Sequence, residues 1–212
     1  MPTGTFFRLP EEKRGRLMDA AWAEFSATPY AKVSINRIIQ AAQIPRGSFY
    51  QYFTDKEELF LYMVEELQDG LREMLARCLE RAGGDLFDMP MLVMDWAVGG
   101  RTEPDPQVTR FARMVCMNRG TDVFQILPRP ERRLPDELRG LVNTAGLRRA
   151  DDEFLDDIFF FAVSAMACTL MEILLSPENG DLLRRQLKNR MEMLRLGCAA
   201  DRAVRSPEVK ED

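Results

Sequence analysis

The sequence predicts an all-α fold in which a three-helix N-terminal head, built as a helix-turn-helix, precedes a larger helical body. Three observations carry that prediction. Apolar residues recur at helical spacing through most of the 212 residues, and nothing alternates like a strand over more than a few positions. A short connection, Gln43-Ile44-Pro45, joins two short helical segments. Just after it, the stretch "RGSFYQYF" places Phe49, Tyr50, Tyr52 and Phe53 among polar residues.

The first helix is expected to begin near Pro10, a residue suited to a first helical position. Glu11 and Glu12 then complement the helix dipole, and Met18, Ala21, Trp22 and Phe25 form one apolar stripe. Thr28-Pro29-Tyr30 ends it. Ser34 is a good N-cap for a second helix, with Ile35, Ile38, Ile39 and Ala42 on its inner face. Pro45 stops that helix by pushing its predecessor out of the α region. The third helix lies between Pro45 and Thr54. Thr54 and Glu57 read as a capping box that opens a helix of roughly 27 residues, about 40 Å long. Phe60, Met63, Val64, Leu67, Leu71, Met74, Leu75 and Cys78 keep one of its faces apolar, and Gly83-Gly84 closes it.

Further helices are expected around 86–99, 106–118 and 135–146, with a short helical turn inside "GTDVFQILPRPERRLP". Two firmer ones follow at about 152–175 and 181–197, the second closed by Gly197, and the polar tail "DRAVRSPEVKED" is expected to fray. The domain division is 1–55 for the head and 56–212 for the body.

Composition narrows the chemistry. The chain contains no histidine, and its four cysteines, Cys78, Cys116, Cys168 and Cys198, show no paired spacing. That argues against zinc sites, a disulfide framework and His-dependent catalysis, so neither metal nor cofactor is expected. No signal-peptide pattern or uninterrupted apolar run of membrane length is visible, which places the protein in the cytoplasm. Through Lys56 there are eight basic against five acidic residues; thereafter there are 21 against 29. A basic head on an acidic body points to a polyanion met by the head alone.

The aromatics sort by face. Phe49 and Phe53, four apart, belong on Ile35, Ile39, Trp22 and Phe25, whereas Tyr50, Gln51, Arg46, Gly47 and Ser48 point elsewhere. Gly47 permits close backbone approach. Arg46 suits guanine or phosphate, and tyrosine hydroxyls suit phosphates or base edges. Such a helix is sized for the major groove.

From Ala20-Ala21 and Phe25 through "VSINRIIQAAQIPRGSFYQYFTDKEELF", the chain resembles the DNA-binding head of the TetR/AcrR family of bacterial transcriptional regulators. The resemblance covers about residues 10–62; the rest is similar only in length and helical pattern. It implies three head helices, a long connecting fourth helix, and a body that dimerises through its last two long helices, here about 152–175 and 181–197. It places Ser34 at a phosphate contact and Arg46, Gly47, Ser48, Tyr50 and Gln51 on the recognition helix. Lys56 falls at a second phosphate contact. Tyr52 stands where the family often has histidine, leaving its role open between phosphate contact and packing.

The resemblance also implies a ligand pocket in the body, for which Trp96, Phe111, Met114, Met117, Phe124, Phe160 and Met166 are the candidate lining. Asp95, Arg110 and Arg113 are charged groups in apolar surroundings. The sequence from Phe159 to Cys168 is apolar around most of the helix and rich in small residues, as a helix paired with a symmetry mate would be. The function expected is a dimeric regulator, a repressor of a palindromic double-stranded DNA operator released by a small apolar or amphipathic effector. A protein-binding adaptor with the same fold is the alternative. Catalysis is not expected, since no nucleophile elbow, P-loop or metal-ligand cluster is visible.

Overall fold

The computed structural model describes residues 1–98, 106–118 and 132–200. Its described residues are all-α, with one isolated antiparallel bridge between Leu147 and Ala199. The helices are α1 (Gly4–Phe7), α2 (Glu11–Ala27), α3 (Ile35–Ala41), α4 (Arg46–Tyr52), α5 (Lys56–Arg81), α6 (Met89–Val98), α7 (Pro106–Met117), α8 (Asp136–Arg139), α9 (Asp152–Leu175) and α10 (Gly180–Cys198). Short 3-10 turns lie at Tyr30–Lys32 and Pro177–Asn179.

Packing divides the chain into two units. One holds Met1–Met74 and the described part of Ala97–Pro130; the other holds Leu75–Trp96 and the described part that follows Pro130. These packing units differ from the division expected at residue 55.

In the first unit, Leu17, Ala21, Phe25, Ile38, Phe49, Phe53, Leu59, Phe60 and Met63 are all buried to 1% exposure or less in a single core. Helix α7 joins it through Met114, with Phe111 and Val115 packed alongside. At its end, the Asn118 side chain accepts a hydrogen bond from the Tyr30 amide at 2.9 Å. Helix α1 was not predicted. Phe6 is fully buried, with its ring 4.9 Å from Phe53 and 5.1 Å from Tyr62 between centroids.

Local signals placed most helix ends. Ser34 caps α3 by accepting from the Arg37 amide, and Asp151 caps α9 by accepting from the Phe154 amide. The expected Thr54–Glu57 capping box is shifted by one residue. Asp55 accepts from the Glu58 amide at 2.8 Å, and the Glu58 carboxylate accepts from the Thr54 amide at 2.6 Å and its hydroxyl at 2.9 Å. Aspartate is as good a cap as threonine, and here Asp55 immediately precedes the first helical residue.

The second unit contains the two long helices α9 and α10, packed against each other along Leu183, Leu187 and Met191. The helix expected over 135–146 is only four residues long. Beyond Gly140 the chain turns to pair with the loop after α5, where the Asn143 amide donates to the Gly84 carbonyl at 2.9 Å. Helix α10 runs through Gly197 to Cys198. It ends where backbone bonds from Arg148 to Cys198 and from Ala200 to Gly146 replace helical ones. The predicted turn within 120–131 and the tail from 201 lie outside the described residues.

Candidate nucleic-acid interface

Helices α3 and α4 are joined by a turn whose geometry follows from backbone bonds. Gln43 has φ +56°, the left-handed region, and the Ile44 amide donates to the Ile39 carbonyl at 3.0 Å while the Gln43 amide donates to Gln40 at 3.2 Å. This is a Schellman closure, with Gln43 in the position glycine usually takes. Ile44 then packs on the head core, and Pro45 stands extended immediately before α4.

The rings of α4 divide by face as expected, with one correction. Phe49 and Phe53 are fully buried, and Tyr50 is 51% exposed. Arg46, Gly47 and Gln51 are exposed and Ser48 is half-buried. Tyr52 is only 8% exposed and lies 6.4 Å from the Phe6 ring, so its ring is a packing element. The unpredicted Phe6 supplies the surface that buries it.

Lys56 also differs from expectation. Its ammonium donates to the Tyr30 carbonyl at 2.9 Å and the Ala31 carbonyl at 3.4 Å, and lies 4.7 Å from the Tyr30 ring centre. A cation so engaged ties the start of α5 to the turn before α3. Burial first, then the Glu57 and Asp55 carboxylates, push the Tyr30 phenol up to about 12, so it remains neutral at ordinary pH.

Ser34 is half-buried at the start of α3. Its amide donates to the Glu24 carboxylate at 3.0 Å, and that carboxylate also binds Arg37 at 2.6 Å. Arg37 further donates to the Lys32 carbonyl at 3.1 Å. Sequence reasoning missed Glu24 and Arg37; Arg37 lies three residues after the Ser34 cap, whereas Glu24 is ten residues before it on α2. Arg46, by contrast, has no carboxylate within ion-pair reach among the described residues.

The candidate ligand lining is divided between the two units. Phe111, Met114 and Met117 lie in the first unit, where Met114 is buried in the head core. Trp96, Phe160 and Met166 belong to the second unit, and Phe124 lies outside the described residues. A helix stripe of methionine and aromatic residues serves a core as readily as a cavity. Asp95 pairs with Arg184 and Arg110 with Asp19; Arg113 is exposed. The second unit instead has a cleft of about 780 Å³ lined by Leu86, Phe87, Val142, Leu147, Arg195 and Leu196 among others.

Residues 17–63, from α2 into α5, match the model of the bacterial regulatory proteins of the tetR family. Those residues form a tetR-family regulatory domain. An uncharacterised HTH-type transcriptional regulator of Haemophilus influenzae is 34% identical over 82 residues, 37% of this chain and 40% of that protein. The HTH-type transcriptional regulator LmrA of Bacillus subtilis is 31% identical over 70 residues, 32% of this chain and 37% of LmrA. HbdR of an Aromatoleum strain is 30% identical over 73 residues, 34% of this chain and 32% of HbdR. The matches thus span less than half of each relative. A TetR family transcriptional regulator from Chloroflexus aurantiacus superposes with a TM-score of 0.46 at 24% identity, over 94% of this chain and 99% of that one. The TetR match covers the capped α3, the Schellman turn and the exposed face of α4 together.

Proposed function

We propose that this protein is a DNA-binding transcriptional regulator that reads duplex DNA with α4. The observation that carries this reading is the division of that helix. Phe49 and Phe53 are fully buried, while Arg46, Gly47, Tyr50 and Gln51 present an exposed face holding one unpaired guanidinium among the described residues. A short helix anchored by its rings and offering arginine, tyrosine and glutamine suits base edges and phosphates in a major groove. Ser34 adds a phosphate contact through its hydroxyl hydrogen.

The chain acts as a homodimer in this reading. Helix α9 is long and apolar enough to cross a membrane, and only 33% of its most apolar stretch is buried. Phe161 and Leu175 on α9, with Leu182, Met193 and Leu196 on α10, stand between 48% and 78% exposed. A second copy covering these helices removes that surface from water and supplies a second α4, so that two half-sites of a palindrome are read together. In this reading the protein works in the cytoplasm on DNA, and α9 is an interface helix rather than a membrane span.

The regulator is a repressor released by a small apolar or amphipathic effector. The second-unit cleft has a volume within the range such molecules occupy. Release requires that the effector prefer the conformation that does not fit DNA. Selection from a random duplex library tests the reading: it should enrich a palindrome, and a dimer incubated at low salt with no enrichment would remove it.

A further inference from the structure

We propose that the N-terminal arm, Thr3–Phe7, is a clamp that sets the orientation of the recognition helix, with Thr3 as the positioning residue. The inference rests on the reading of α4 as the DNA-reading helix. Helix α4 has seven residues, and the last carbonyls of any helix lack intrahelical partners. Two of those carbonyls are met by one distant residue. The Thr3 amide donates to the Tyr52 carbonyl at 3.0 Å, and the Thr3 hydroxyl donates to the Gln51 carbonyl at 2.5 Å.

The arm is held in place independently of those bonds. Phe6 is fully buried against Phe53, Tyr62 and Tyr52, and the Phe6 amide donates back to the Thr3 carbonyl at 3.0 Å. An anchored ring thus presents a threonine to the helix end, as a cap supplied from 48 residues away. Gln51 is the point of contact with function: its carbonyl is fixed by Thr3 while its side chain is exposed beside Tyr50. The Schellman turn fixes one end of α4, and Thr3 fixes the other. Without the second bond the helix end frays, and the exposed side chains lose a defined direction toward base edges.

Loss of direction affects selective contacts more than charge-driven ones, because phosphate attraction tolerates reorientation and bidentate base contacts do not. The test compares wild type, Thr3→Val and Thr3→Ser, all as the full chain. Each is titrated against the duplex enriched by the wild type and a scrambled duplex of equal length. Thr3→Val should bind the enriched duplex roughly three- to tenfold more weakly, the size of one lost hydrogen bond, with scrambled binding unchanged. Thr3→Ser should restore the wild-type ratio.

Amide exchange of the free protein gives an independent reading. Exchange over residues 50–53 should quicken in Thr3→Val and return in Thr3→Ser. Equal affinities for the enriched duplex, or a parallel loss on both duplexes, would overturn the clamp while leaving the DNA reading in place. Failure of the wild type to enrich any duplex would overturn the DNA reading and the inference with it.

Discussion

The Glu24 carboxylate on α2 accepts the Ser34 amide at 3.0 Å, tying the first head helix to the cap of the second. The same carboxylate holds Arg37 at 2.6 Å, but Arg37 is 55% exposed whereas Glu24 is 12% exposed. The amide bond therefore outweighs the solvent-screened ion pair. Glu24→Ala should lower head stability by about 1–2 kcal/mol, and Arg37→Ala by at most about 0.5 kcal/mol, as read from urea unfolding midpoints.

Gln43 occupies a left-handed conformation at φ +56°. Glycine takes that conformation without a side-chain clash, so Gln43→Gly should stabilise the head by about 0.5–1 kcal/mol. A β-branched residue is the converse: Gln43→Val should destabilise it. Thermal unfolding of the two variants side by side checks both signs.

Lys56 is engaged by the Tyr30 and Ala31 carbonyls. Lys56→Met should therefore cost about 1 kcal/mol of stability and leave the salt dependence of DNA binding unchanged. A lost phosphate contact would instead reduce the salt slope by about one. Titration of wild type and variant at several salt concentrations separates the two.

Gly84 has φ +82°, and a Cβ there would lie 2.4 Å from the Leu141 carbonyl oxygen and 2.6 Å from the Asn143 amide nitrogen. Both obstacles are backbone and neither can swing aside. Gly84→Ala should cost at least about 2 kcal/mol from strain and overpacking together, seen as a lower urea midpoint. Gly140→Ala, where nothing lies within 4 Å, serves as the control.

Asp156 titrates below the ordinary aspartate range. Burial pushes it up, but the Leu134 amide at 2.9 Å and Arg139 at 2.6 Å outweigh that effect. Its folded-state pKa is therefore lower than its unfolded one. The carboxylate contributes stability above the unfolded value, and that contribution is lost as pH falls through the folded value. Asp156→Asn should be less stable than wild type at neutral pH, with the difference shrinking on acidification, as measured by urea unfolding across the acid range.

What the sequence made legible was local. Ser34 and Pro45 marked helix ends because capping and the proline restriction act within a few residues. The burial of Phe49 and Phe53 followed from their spacing of four. Asp55 beside Thr54 left two adequate caps in succession, and the structure uses the second. Tyr52 and Lys56 were harder to place, since Phe6 buries one and the Tyr30 turn engages the other across long sequence separations. Thr3 carries no local mark of its partnership with Gln51. The body candidates were ambiguous for a different reason: Met114 in the head core and Met166 in the second unit have the same apolar pattern.

The central claim is that α4 reads bases from its exposed face, and Arg46→Ala tests it most directly. The variant should bind the enriched palindromic duplex about 1–3 kcal/mol more weakly than wild type and discriminate less at one base position of each half-site. Unchanged affinity and unchanged discrimination would contradict the account.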